Sequence, residues 1–283
     1  MLSYLKKTSV AQHLKKNRTV SLVRQSVGDW RYPFMLGSWW LSSVIVPRRK
    51  VSLGGVSFTL SCTNWITHFR WYLFKSKEPE VRNYIDRYVK DNDIFFDIGA
   101  NVGVFSIYAA KRHQRISIYC FEPEYSNLST LKENIICNDL NTNSKIYSVG
   151  VSNFVGLSML HLQDITTGAA AHTENNKLIN MTDEGYPVVW SEGIVSVTLD
   201  YLCEQLGVVP DSMKIDTDGN EDKILEGGIK TLSNTRLRSL VIEIPHEDMR
   251  KSQYCYKLLE SAGFSPAWSD KKKTRNEIWE RRK

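Results

Sequence analysis

The chain has 283 residues, 42% of them hydrophobic and 24% charged, which is a globular composition and enough for one large domain with an elaboration. Its formal net charge of +6 is unevenly spread: residues 1–50 hold ten Lys/Arg and one acid, residues 270–283 hold seven against three, and the body between carries 20 basic and 27 acidic residues. A mildly acidic body argues against a nucleic-acid groove across the fold, and five scattered cysteines (62, 120, 137, 203, 255) with no CxxC argue against structural zinc and for a reducing, cytoplasmic setting.

Residues 1–50 read as a basic N-terminal extension in which Trp30, Tyr32, Phe34, Trp39 and Trp40 cluster without a convincing helical stripe. Such a segment packs on the main domain, or offers an acidic partner or an anionic membrane a peripheral contact. The longest apolar run, Phe34 to Val46, is interrupted by Gly37, Ser38, Ser42 and Ser43 and is too short to span a bilayer. Lys6 and Lys7 have no apolar stretch close behind them, so no secretory signal is expected. Residues 51–90 form a lead-in unit. Residues 51–61 read as a hairpin turning at Gly54-Gly55, and 78–90 as a helix with Val81, Tyr84, Ile85, Tyr88 and Val89 on one face.

Residues 91–283 then alternate. Strands are expected at Ile94–Ile98, Ile116–Phe121, Ile146–Val151, Ser212–Ile215 and Leu240–Ile244. Helices are expected at Val104–Arg112, around Leu128, Leu131 and Ile135, around Leu199 to Leu206, and from Ile224 to Leu232. A last helix closes at Gly263, and Phe264–Trp268 with Glu277–Arg281 suggests a C-terminal β-hairpin. The alternation predicts an α/β fold, a mainly parallel sheet with helices on both faces. An insertion, 153–195, breaks the rhythm with strand-like pieces around a polar stretch from Thr166 to Gly185, as a functional lid or loop would.

The first strand ends in Asp97-Ile98-Gly99-Ala100-Asn101-Val102-Gly103, and the second in Glu122-Pro123. A dinucleotide site would want glycine where Asn101 stands, so that backbone could approach pyrophosphate, and Asp97 adds charge that repels phosphate. A phosphate-free ligand with a cationic head fits better, and S-adenosylmethionine has an ammonium, a sulfonium and a ribose. Asp97 is placed to meet the ammonium directly or through water, Glu122 to take both ribose hydroxyls, and Pro123 to start the next helix. Beyond strand four, Lys214-Ile215-Asp216-Thr217-Asp218-Gly219-Asn220-Glu221 puts Asp216 at a strand end, with Asn220 and Glu221 suited to capping. Strand five ends in Glu243-Ile244-Pro245-His246. Carboxylates and a histidine converging on one rim supply a general base or, as a weaker alternative, a divalent-cation site. The absence of an Asn/Asp-Pro-Pro-Tyr/Phe block after strand four disfavours an amide or amine acceptor. His161 and His172, in the insertion, are secondary candidates.

The blocks DIFFDIGANVGVFS, CFEPE, VTLDYL, MKIDTDGNEDKILEGG and LVIEIP, preceded by FKSKEPEVRNYIDRYVKDND, resemble in this order the FkbM-type S-adenosylmethionine-dependent methyltransferases. The resemblance covers roughly residues 55–283. It implies a class I, Rossmann-like methyltransferase fold and O-methylation of a sugar, glycoconjugate or natural-product acceptor. The family's KIDVEG-x-E block falls on Lys214 to Glu221, with Thr217 and Asp218 replacing valine and glutamate. The cofactor residues are then Asp97, Gly99, Asn101, Gly103, Glu122 and Pro123, and the candidates beside the acceptor are Asp216, His246, Glu243 and Glu221. The alternatives are an NAD(P)-dependent oxidoreductase and a non-catalytic cofactor- or glycan-binding member of the fold. The acceptor and the oligomeric state are not readable from the residues.

Overall fold

The structure is a computed structural model and describes residues 27–45, 47–170, 172–175 and 187–282; the basic residues before position 27 and part of the polar stretch within 153–195 lie outside them. Helix α1 (Tyr32–Ile45) opens the described chain. No stripe betrayed it because it is apolar on two faces: Met35 and Leu36 pack against Phe69 and Leu73, while Phe34, Trp40 and Leu41 are exposed. Strands β1 (Arg48–Leu53) and β2 (Val56–Ser61) form the expected hairpin. Helix α2 (Trp65–Leu73), which sequence periodicity did not single out, is started by a capping box. The Asn64 carboxamide oxygen accepts from the Ile66 and Thr67 amides, and Thr67 Oγ1 accepts from the Asn64 amide. Helix α3 (Pro79–Arg87) buries Val81, Tyr84 and Ile85.

The remaining elements are β3 (Ile94–Ile98), α4 (Val104–Arg112), β4 (Ser117–Phe121), α5 (Tyr125–Cys137), β5 (Ser144–Tyr147), β6 (Gly150–Ser152), β7 (Gly156–Leu162), β8 (Thr173–Glu174) and β9 (Trp190–Thr198). They continue as α6 (Leu199–Leu206), β10 (Ser212–Ile215), α7 (Glu221–Glu226), α8 (Ile229–Ser233), β11 (Ser239–Glu243), α9 (Met249–Ser261), β12 (Phe264–Ser269) and β13 (Asn276–Arg281). The main sheet has seven strands in the order β12-β13-β11-β10-β3-β4-β5. The five strands from β11 to β5 run parallel, and β13 is antiparallel to both of its neighbours. This is the class I methyltransferase arrangement. Both faces are covered, so the strands read as continuous apolar runs. Phe95, Ile118 and Cys120 face a core shared with Val81, Tyr84, Ile107 and Leu131, whereas Phe96, Ile98 and Phe121 face one shared with Leu202, Ile224 and Leu259.

The strand expected at Ile146–Val151 is two strands in two sheets. The chain leaves the main sheet after Tyr147, and β6 joins a four-stranded sheet of order β6-β9-β7-β8. The single helix expected from Ile224 to Leu232 is likewise two, α7 and α8, broken at Gly227-Gly228. A Cβ on Gly227 would fall 2.3 Å from the Ser152 carbonyl oxygen, so β6 passes where only glycine leaves room. The strand order reverses between β3 and β10, and beyond their carboxyl ends lies the crevice where open α/β sheets bind ligands.

Candidate active site

The turn after β3 is held by its neighbour strand. The Gly99 and Ala100 amides both donate to the Phe121 carbonyl (3.0 and 3.1 Å), and the Asn101 amide donates to Glu122 Oε2 (2.7 Å). The second Glu122 oxygen accepts from the Glu124 amide at 3.0 Å. Gly99 (φ +74°), Asn101 (φ +52°) and Gly103 (φ +82°) all sit in the left-handed region, which asparagine tolerates better than most residues. A Cβ on Gly99 would stand 1.9 Å from the Asp216 carbonyl oxygen, and one on Gly103 would stand 2.3 Å from Leu131 Cδ1. The glycines therefore let the turn press against β10 and α5, while Asn101 Nδ2 ties it to the Ala169 carbonyl (2.7 Å) in the insertion.

Two hollows meet at this turn. A hollow of about 780 Å3, mouth included, is lined by Gly99, Asn101, Phe121, Glu122 and Pro123 on the sheet side and by Leu160, His172 and Ile194 from the insertion. Burial pushes the Glu122 carboxyl up to about 7, against the pull of its two amide partners. Burial lowers the His172 pKa, and its buried Nδ1 has no hydrogen-bond partner. On the other side of the turn a wider cleft of about 2460 Å3, mouth included, runs past Phe69, Arg70, Phe105, Asp216, Glu243 and Trp268. Gly99, Asn101, Asp216 and Asp218 line both.

The rim of the cleft is a charge cluster. Asp216, Asp218 and Glu243 each offer an oxygen within 4.8 Å of the others. Lys214, 3% exposed, lies in parallel register with Asp97. Its ammonium is 3.3 Å from Asp97 Oδ1 and 3.3 Å from Asp216 Oδ2. Burial alone would lower the Lys214 pKa, but Asp216 and Asp97 outweigh it and hold the ammonium above its usual value. Burial likewise works against the Asp216 charge, yet Lys214 and a hydrogen bond with Glu243 keep its carboxyl below the usual range. Glu243 is pushed well above it, by burial first and then by the charges of Asp216, Asp218 and Glu221. Of the two carboxyls, Glu243 is thus the one that favours its protonated form and Asp216 the one that favours its charge.

Several expected residues sit elsewhere. Asp97 is 1% exposed and turned into protein: Ser106 Oγ donates to its Oδ2 at 2.5 Å and Lys214 faces its Oδ1. With Ser106 and Lys214 on its two oxygens, the Asp97 carboxylate faces protein groups and lines neither hollow. Pro123 lines the cavity but does not start α5; Glu124 is the N-cap, its carboxylate accepting from the Ser126 and Asn127 amides. Asn220 makes no side-chain cap bond, because its amide nitrogen donates to the Val151 carbonyl and to Glu174 Oε2. Glu221, 2% exposed, folds back on the turn before it, accepting from the Thr217 amide and hydroxyl (2.8 and 2.9 Å). His246 does not converge on the rim: it lies beside Tyr256 Oη (3.4 Å) and Glu277 (3.7 Å) at the foot of the terminal hairpin. His161 is fully buried and bonded to Ser191 Oγ at 2.7 Å.

Lys214 and Asn127 were not singled out beforehand. Asn127, 1% exposed, accepts the Gly168 amide at 2.6 Å and lines the cavity. Its signal in the sequence is nil, since it lies one turn into an ordinary helix. Lys214 did leave one: it is the lone charge in a four-residue strand whose every position is buried, and a buried lysine needs a carboxylate.

Residues 97–266 match the model of the Methyltransferase FkbM domain, well over half of the chain. "Methyltransferase 1" of Beauveria bassiana (strain ARSEF 2860) is 23% identical over 154 residues, 48% of this chain and 59% of that protein. The 31-O-demethyl-FK506 methyltransferase FkbM of Streptomyces tacrolimicus is 21% identical over 183 residues, 56% of this chain and 68% of that one. Among solved structures, the methyltransferase FkbM of Methylobacillus flagellatus KT superposes with a TM-score of 0.43 at 13% identity, covering 76% of this chain and 54% of that one. The fibrillarin of Aeropyrum pernix, solved with bound S-adenosyl-L-methionine, gives 0.46 at 10% identity, covering 83% and 82%. The family match spans the turn, both strand-end carboxylates and the Asp216 block, and the chain belongs to the FkbM methyltransferase domain family.

Proposed function

We propose that the chain transfers a methyl group from S-adenosylmethionine to a hydroxyl oxygen of a sugar, glycoconjugate or natural-product acceptor. The observation that carries this reading is the meeting of the two hollows at Gly99 and Asp216, one ending in a ribose-type carboxylate and the other in a proton-holding carboxylate pair. The cavity residues fit the cofactor. Phe121, Val149, Leu160 and Ile194 give apolar walls for a base, and Glu122 offers oxygens for ribose hydroxyls. The unpartnered His172 Nδ1 is a polar atom awaiting one. NAD fits less well, because the 99, 100 and 101 amides that would hold pyrophosphate are taken by Phe121 and by the Glu122 carboxylate.

When bound, S-adenosylmethionine supplies an electrophilic methyl group on a sulfonium. The chain's own part is to align and to manage one proton. Lys214, fixed between Asp97 and Asp216, sets the Asp216 carboxylate at the mouth of the turn. The Glu243 carboxyl, which favours its protonated form, lies beside Asp216, and the Asp216 carboxylate is the group that accepts from the acceptor hydroxyl. As the acceptor's hydroxyl oxygen takes the methyl group from the sulfonium, which would depart as a neutral thioether, the hydroxyl proton passes to Asp216. Glu221 keeps the Thr217–Gly219 turn closed behind it. A divalent cation suits the trio poorly, because Lys214 already balances Asp216 and Glu243 already carries a proton.

Titration calorimetry with S-adenosylhomocysteine tests the cofactor half. Glu122→Ala should weaken binding by roughly 10- to 100-fold, the worth of hydrogen bonds to a charged group. Binding of NAD and none of S-adenosylhomocysteine would sink the reading. Labelled methyl transfer tests the acceptor half: an alkali-stable ether product supports a hydroxyl, and an alkali-labile ester or an N-methyl product overturns it. Full activity in excess chelator is expected.

A further inference from the structure

Helix α1 carries a surface that the methyl-transfer site does not use. Its 14 residues include no charged side chain. One side is accounted for: Met35, 1% exposed, packs on Phe69 and Leu73 of α2, with Leu36 and Trp65 around it. Away from Met35 the helix holds Phe34 (74% exposed) and Leu41 (56%), with Trp40 (60%) on the flank beside Leu36, and Trp30 (69%) lies in the turn before the helix. Positions 34 and 41, seven residues apart, fall on one helical face, so these two side chains share a patch rather than being scattered exceptions. Basic residues bracket the helix in sequence, Arg48 being paired with Glu133 at 3.1 Å and Arg49 packed on Trp71. Arg31 precedes the helix with its guanidinium 4.7 Å above the Trp30 ring, and Arg48, Arg49 and Lys50 follow it. Over residues 1–50 the count is ten basic to one acidic.

We propose that this face lies in the headgroup layer of an anionic membrane, with α1 parallel to the surface. An uncharged helix presenting Trp, Phe and Leu between arginine and lysine clusters has the chemistry of an interfacial helix: rings and aliphatics reach the acyl boundary while the cations meet lipid phosphates. At 1.5 Å per residue the helix is about 21 Å long, short of the ~30 Å hydrocarbon core, so it lies along the surface and does not cross. Among the described residues no helix is long and apolar enough to cross a membrane. The charge balance favours lipid over a second copy, since a symmetric contact would bring two basic segments face to face. Phe69 touches both the buried side of α1 and the wall of the cleft, so the cleft mouth sits one helix away from the attached face. The lipid contact does not rest on the methyl-transfer reading.

The test uses the full chain and sedimentation with two kinds of vesicle, phosphatidylcholine alone and phosphatidylcholine doped with phosphatidylserine. The wild type is expected to pellet with the doped vesicles, less so at high salt, and hardly with the neutral ones. The double variant Phe34→Glu, Leu41→Glu should lose partitioning by at least ~10-fold, because two buried apolar side chains become charges. Its S-adenosylhomocysteine affinity should not change, which shows that the domain still folds. Three results overturn the proposal: no sedimentation of the wild type with anionic vesicles, equal sedimentation of variant and wild type, or light scattering that finds a wild-type dimer which the double variant splits.

Discussion

The cofactor cavity and the acceptor cleft share one wall and are built in different ways. The polar floor of the cavity is local, although its walls reach to Val149, the insertion and Lys223. Its sheet side comes from the ends of β3 and β4, and its key contacts run from side chain to backbone, as Glu122 grips the Asn101 and Glu124 amides. The cleft is assembled from distant stretches: α2, the loop before α3, the ends of β10 and β11, and the β12–β13 hairpin. Its central contacts run from charge to charge, with Lys214 between Asp97 and Asp216 and a proton between Asp216 and Glu243. Backbone-held geometry tolerates almost no change of shape. A charge cluster tolerates isosteric change but responds to any change of protonation.

Gly99→Ala is the harshest test of that contrast, because Gly99 belongs to both hollows. The added Cβ would lie 1.9 Å from the Asp216 carbonyl oxygen, at a φ of +74°. Backbone strain of this kind costs on the order of 1–3 kcal/mol before the clash is counted. We expect S-adenosylhomocysteine affinity to fall by at least ~100-fold together with activity, as the turn and the Asp216 strand end are driven apart. Retained cofactor binding with activity alone lost would show the cavity to be more forgiving than its geometry indicates.

Asp216→Asn should separate the two hollows. The isosteric amide keeps the shape of the rim and removes the proton acceptor. kcat should drop by roughly 10²- to 10⁴-fold, the usual worth of a positioned base, with cofactor affinity changed only a few-fold. A matching loss of cofactor affinity would mean that the Lys214 cluster props up the cavity as well.

The same contrast governs what could be read in advance. The turn, the place of Glu122 at a strand end and most of the strand–helix succession were legible because each is encoded within a few residues: an apolar run, a glycine spacing, a carboxylate at a strand end. Asp97 was legible as part of the motif but not in its orientation, since Lys214, its partner across the sheet, lies more than a hundred residues on. His246 follows Glu243 by three positions, but β11 ends between them and the chain turns away toward the hairpin. Helix α7–α8 read as one helix because its break depends on β6 passing close to Gly227, a contact between segments that share no local pattern. The helix α1 was hidden by its apolar outer face, which departs from the one-sided pattern of a domain helix.

Glu243→Gln tests the stored proton. The Glu243 carboxyl is raised by burial and by neighbouring carboxylates, so wild type keeps this proton to higher pH than an ordinary glutamate and loses it on going alkaline. A raised carboxyl stabilises the fold fully below its unfolded value, and that contribution disappears as pH climbs through the folded value. Glu122, pushed up to about 7, adds a loss of the same sign through neutrality. Thermal stability of wild type should therefore decline from mildly acidic to alkaline pH. The glutamine variant, a permanent stand-in for the protonated acid, should decline less and should lack the alkaline limb of the activity profile. At neutral pH its activity should stay within about 3-fold of wild type, since the hydrogen bond to Asp216 is kept. An unchanged alkaline limb would place the proton elsewhere.

His246→Ala should have the smallest effect, and it marks the edge of the cleft. The imidazole is held near neutral form by burial, opposed by Glu277, and its neighbours are Tyr256 and Glu277 at the foot of the hairpin. Glu277 is 1% exposed and also accepts from Tyr256 Oη (3.0 Å) and Trp279 Nε1 (3.1 Å), so removing the ring leaves that carboxylate with partners. Losing one modest contact should cost about 1 kcal/mol, visible as a drop of a few degrees in Tm. kcat/KM should stay within about 2-fold of wild type, because no proton in the proposed transfer passes through His246. Activity lost by orders of magnitude at an unchanged Tm would instead bring the histidine into the reaction. The cleft would then have to extend past Pro245, with Glu243 in its middle rather than at its edge.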